Sequence, residues 1–127
     1  MQSSTIFGTP SSRDGTVKRL PATFYQLPSG REPARDWLKA LGDEDRKIIG
    51  EDIKDVEFSW PTGMPLVRPL GKGLWEVRSD ITQGRIARML FFIHDGRMVL
   101  LHGFIKKTQK TPDADIELAT KRRKEIT

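Results

Sequence analysis

Four cations in the second half of the chain stand where strand-like segments would hold them: Arg78 in LWEVRSD, Arg88 in RIARMLFFI, and Lys106 with Lys107 closing RMVLLHGFIKK. Glu76 lies two residues before Arg78, so in an extended strand both point to the same face. A guanidinium fork holds two phosphate oxygens, and an ammonium group adds a point charge beside it. A carboxylate, or a lysine desolvated among other cations, can move a proton. The set therefore suits a cationic patch that attracts polyanions. Arg68, Lys72, Arg85 and Lys110 add to the same positive charge, and His102 lies in the strand that ends at the lysines. Each has a plainer reading. Arg78 and Arg88 can bridge to Glu76, terminal lysines can guard a strand edge against aggregation, and His102 can be a packed, hydrogen-bonded histidine. With His94 and His102 the only histidines and no cysteine, no metal site, disulfide or cofactor is expected.

These residues need strands to carry them. Leu66 to Leu70, Leu74 to Asp80, Arg85 to Ile93 and Arg97 to Ile105 alternate or run apolar at strand length, and Asp95-Gly96 is a hairpin signal. Pro69 suits an edge strand, and Ile81 to Gly84 reads as a turn. A register that brings Arg78, Arg88 and Lys106 together is available. Upstream, Ala22 to Leu27 reads as a short strand. Ala34, Trp37, Leu38 and Leu41 fall at helical spacing, with Pro33 in the first turn. A second helix starts at Asp43, its inner face Ile48, Ile49, Asp52, Ile53 and Val56, and ends before Pro61. After Pro112, a closing helix carries Ala114, Ile116, Leu118 and Ala119, with Thr111 or Asp113 near its cap. The order implies an α+β fold, two N-terminal helices and a C-terminal helix packed on one face of a small antiparallel sheet. Residues 1–20 lack sustained periodicity and read as a flexible N-terminal extension to a domain spanning 21–127.

Charge is segregated along the 127 residues. The formal net charge is +5, yet residues 31–60 hold six basic and nine acidic side chains, whereas 61–111 hold nine basic and three acidic. A concentrated positive field attracts polyanions such as nucleic acid or an acidic protein segment. No apolar run is long enough to cross a bilayer and the N-terminus has no signal-peptide stretch, so a cytoplasmic protein without membrane contact is expected.

The segments LWEVRSD, ARMLFF and LLHGFIKKTQKTP, followed by DIELATKRRKEI, resemble the RelE/ParE superfamily of bacterial type II toxins, in its phage-derived HigB-like branch. The likeness runs from about Ala22 to the C-terminus. It implies a RelE-like fold and an endoribonuclease that cleaves mRNA on the translating ribosome, with the RNA 2′-hydroxyl as nucleophile and no metal. It also implies a cognate antitoxin, commonly one with a helix-turn-helix domain. Carried over by position, Arg78, Arg88, Lys106 and Lys107 are the catalytic candidates. Arg68, Lys72, Arg85, His102 and Lys110 are RNA-binding candidates, while Lys121 to Lys124 are either an rRNA contact or a solvated helix end. Some members use a tyrosine near the C-terminus, and this chain has none after Tyr25. Proton transfer then falls to a lysine, His102, Glu76 or the ribosome. Two alternatives belong to other classes: a ParE-like inhibitor of DNA gyrase, and a non-catalytic nucleic-acid-binding protein.

Overall fold

The computed structural model describes residues 17–106 and 110–126. Strand β1 (Ala22–Phe24) leads into helices α1 (Pro33–Lys39) and α2 (Asp43–Ser59). Strands β2 (Val67–Gly71), β3 (Leu74–Asp80), β4 (Ile86–His94) and β5 (Arg97–Lys106) follow, and helix α3 (Asp113–Lys124) ends the described chain. Pro33 occupies the first turn of α1, where an amide proton would have no intrahelical acceptor. Three acids, Asp43, Glu44 and Asp45, occupy the first turn of α2, at the positive end of its dipole. Asp95 and Gly96 both have positive φ (52° and 73°), the geometry of a two-residue hairpin whose twist matches its strands.

The strands are ordered β1-β5-β4-β3-β2. From β2 to β5 every pairing is antiparallel, but β1 lies parallel to β5, with Ala22 opposite Met98 and Phe24 opposite Leu100. The sheet is therefore mixed, not purely antiparallel. The outer edge of β5 would otherwise be unpaired through the middle of the core, and the long connection through the helices lets β1 enter it in the parallel sense.

The helices do not share one face either. α1 and α2 cover Val67, Val77, Met89, Phe91, Met98 and Leu100, whereas α3 packs through Ala119 on Leu74, Leu90, Phe92, Val99 and Leu101. β4 and β5 are apolar on both sides, so each side needs its own cover. A register shift opposite Leu90 and Phe91 marks a bulge in β5. Trp60 at the end of α2 meets Trp75 and Phe91 edge-on at 5.1 and 5.9 Å, which fixes the helix against the sheet.

Of the proposed extension, residues 1–16 lie outside the described residues, and 18–20 are tied to α2. The Glu57 side chain, fully buried, accepts from the Ala22 amide at 2.7 Å and lies 3.2 Å from the Lys18 ammonium. Its backbone carbonyl accepts from the amides of Arg19 and Leu20. Leu20 is itself in the core.

Candidate functional site

The ladder sets the candidate residues in rows on the sheet face that α3 partly covers. One row holds Arg68, Glu76, Leu90 and His102; the next holds Arg78, Arg88 and Phe104; the third holds Asp80, Ile86 and Lys106. Opposed residues point the same way and stand within side-chain reach. Arg78 and Arg88 are thus directly opposed, and Lys106 lies one row along. α3 packs on this face through Ala119, which lies in one apolar cluster with Leu90.

Arg88 is fully buried, yet it is charged. Its guanidinium donates to the Thr111 hydroxyl at 3.3 Å, and that hydroxyl donates to Glu76 Oε1 at 2.5 Å. Glu76 Oε2 lies 3.9 Å from Arg78 Nε. Burial lowers the Arg88 pKa, Glu76 opposes that shift, and Arg78 and Arg68 reinforce it. The Glu76 carboxylate and the Thr111 hydroxyl thus stand between two arginines that face each other. Thr111, which the sequence suggested as a helix cap, turns into the sheet instead, and Pro112 takes the N-cap position without a side-chain bond.

Accessibility separates the cations. The Arg78 side chain is partly open, on a cleft of about 560 Å³ that Asp52, Asp80, Leu66 and Ile86 also line. Burial raises the pKa of Asp52; the nearby Ser79 hydroxyl opposes the shift, and Asp55, Asp80 and Glu51 add to it. Lys106 is exposed at the end of β5. Arg68 and Lys110 line a smaller cavity of about 190 Å³ with Thr111, Asp113 and Ile116. Lys107 lies outside the described residues.

His102 stacks on Phe104 with ring centroids 5.4 Å apart, and its Nε2 lies 2.6 Å from Asp115 Oδ1 in the first turn of α3. Nothing local pointed to Asp115 or Thr111 as partners, since both come from beyond the strand they serve. Two other candidates stand apart from this group. Arg85 pairs with Asp45 at 2.5 Å and donates to the Thr82 carbonyl and hydroxyl, holding the turn before β4 against the start of α2. Lys72 sits at the tip of the β2–β3 turn. Arg122 donates to the Leu101 carbonyl at 2.7 Å and Arg123 to that of Lys72, so the basic end of α3 is partly engaged in holding the helix. Tyr25 is buried and bonded to Glu125, at the opposite end of α3 from Asp115. Among the described residues, no group of histidines and carboxylates could hold a metal ion, and no helix is long and apolar enough to cross a membrane.

A family model described as Phage derived protein Gp49-like (DUF891) matches residues 36–124. That span runs from within α1 to the end of α3 and includes every candidate site residue. No curated protein matches the chain.

Proposed function

The chain belongs to the phage-derived Gp49-like family, whose members are toxin-like, and from that premise we propose that it is the toxin of a toxin–antitoxin pair and cleaves mRNA on the translating ribosome. The observation that carries this reading is the Glu76–Thr111–Arg88 network, with Arg78 opposite Arg88 and Lys106 one row away. RNA brings its own nucleophile, so the protein has three tasks: align the 2′-hydroxyl with the phosphorus, stabilise charge on the phosphate, and move two protons.

Arg78 and Lys106 are the groups a phosphate can reach, with Arg68 and Lys110 extending the contact along the backbone. Lys107 adjoins Lys106 in sequence and is assigned the same task. Arg88 acts from behind, fixing Thr111 and Glu76 so that the outer cations keep their places. In His102, Asp115 accepts from Nε2–H, which leaves Nδ1 as the proton acceptor. His102 takes the 2′-hydroxyl proton while the oxygen attacks phosphorus and the bond to the 5′-oxygen breaks. Lys106 donates a proton to that leaving oxygen. The products are a 2′,3′-cyclic phosphate and a 5′-hydroxyl end, with the two protons balanced between His102 and Lys106.

Inducible expression in a bacterium, with mRNA 5′ ends mapped before and after induction, tests the reading. The control is the Arg78→Gln/Lys106→Ala double variant, chosen because both side chains are accessible where Arg88 is not. New ends inside translated regions, reduced at least a hundredfold in a variant that keeps its circular dichroism, are expected. Growth arrest with unchanged mRNA ends would overturn the ribonuclease reading in favour of a gyrase-type target, and neither arrest nor new ends would leave a nucleic-acid binder.

A further inference from the structure

Between the β2–β3 turn and the outer side of α3 runs a groove of about 630 Å³. Its floor is aliphatic: Leu70, Leu74 and Ile116, with Thr120 beside them. Lys72, Lys121 and Lys124 stand on its rim against a single acid, Glu117. The groove exists because α3 is a poor cover. Ala119 is its one fully buried residue among those described, so the sheet is sealed near β4 and β5 but left open toward β2. Arg123 reaches across to the Lys72 carbonyl and stands 5.2 Å over the Phe92 ring, which makes it part of the wall. Leu70 and Ile116 also line the smaller cavity that holds Arg68, Lys110 and Thr111, so the two spaces lie side by side and share a wall.

We propose that this groove docks a segment of the partner protein that carries aliphatic side chains flanked by acidic residues, and that the same segment continues into the Arg68–Lys110 cavity. The partner's identity as the antitoxin rests on the toxin reading above; the chemistry of the segment rests on the groove. An aliphatic floor accepts leucine- or isoleucine-like side chains, whereas single-stranded RNA is held by stacking on aromatic rings or open guanidinium planes, and the floor offers no ring. Three rim lysines against one glutamate select for negative charge on the occupant and steer its approach. The adjoining cavity gives the contact a consequence: a segment that runs from the groove over Leu70 and Ile116 would cover Arg68, Lys110 and Thr111, and RNA would be shut out of the end of the cationic face without any change in fold.

The test uses the full chain in complex with the protein encoded by the neighbouring gene. Amide hydrogen exchange of the complex against the free chain is expected to show protection at residues 70–74 and 116–124. Lys121→Glu/Lys124→Glu, a surface change that spares the core, is expected to weaken the complex at least tenfold by calorimetry. A charge reversal on the far side, Asp36→Lys/Glu44→Lys, is expected to leave it unchanged. A complex that protects only α1 and α2, and is indifferent to the lysine reversals, would overturn this inference while leaving the toxin reading intact. Protection of the groove in the free chain by a single-stranded oligonucleotide would make it an RNA subsite and overturn it as well. No complex and no growth arrest would overturn the toxin reading, and this inference with it.

Discussion

Thr111 and Gly103 show how much a single side chain, or its absence, decides. Thr111 Oγ1 links a buried carboxylate to a buried guanidinium. Thr111→Val keeps the volume and removes that link, leaving Glu76 an acceptor and Arg88 a donor without this partner. An unmatched buried polar group costs about 1–3 kcal/mol. Urea unfolding should show a loss of that order, and Thr111→Ser should restore most of it. Gly103 is held by a different constraint. A Cβ there would lie 2.3 Å from a carbon of the Trp37 ring, so α1 approaches β5 over a bare backbone. Gly103→Ala must push the helix or the indole away, at a cost of about 1–3 kcal/mol. A lowered unfolding midpoint, with altered near-ultraviolet dichroism from the displaced tryptophan, is the expected result.

At the scale of elements, two aspartates on α2 respond to pH with opposite signs. Asp45 accepts from the Thr82 amide and hydroxyl and pairs with Arg85, and these lower its pKa in the fold, the Thr82 amide most of all. Its contribution is present above the ordinary carboxylate value of about 3.9 and is lost as pH falls through the lower folded value. Asp52 is the reverse case: burial, with the nearby carboxylates, raises its pKa, so its charged form burdens the fold at neutral pH. That burden is full above the raised value and gone below the ordinary one. Asp52→Asn should therefore raise the melting temperature at pH 7, with the gain vanishing near about pH 3. Asp45→Asn should lower the melting temperature at pH 7, and its deficit should shrink over the same descent. Thermal unfolding of the two variants across pH reads both signs in one series.

For the whole molecule, the segment before β1 acts as a clasp on the two-sided core. Lys18 and Glu57 form an ion pair whose side chains are 3% and 0% exposed, and Glu57 also takes the Ala22 amide. A chain starting at Pro21 would leave the Glu57 carboxylate buried without its ammonium partner. Breaking a buried pair from one side costs about 3–5 kcal/mol. Guanidinium unfolding of that truncated chain should show a loss approaching this range, and Glu57→Gln introduced into it should recover part, because the uncompensated charge is gone. Were the truncation silent, the clasp would be ornamental and the fold would begin at β1.

Local signals determined the elements: strands through Arg78, Arg88 and Lys106, a helix with Pro33 in its first turn, another from Asp43, and the Asp95-Gly96 hairpin all follow from side-chain alternation, helical spacing and turn chemistry. Local chemistry also identified the residue types suited to phosphate. What required the tertiary structure is whatever depends on a partner far along the chain. Alternation put Glu76 and Arg78 on one face, but only the register set Arg78 against Arg88 and Lys106 a row away. Thr111 read as a cap because a threonine before a helix usually is one; the buried charges across the sheet made a stronger demand on its hydroxyl. The sequence offered Arg85 as a phosphate contact and gave no sign of its pairing with Asp45, 40 residues upstream. The parallel seat of β1 and the second face under α3 stayed hidden for the same reason: an apolar run states that it will be buried, and says nothing about what will cover it.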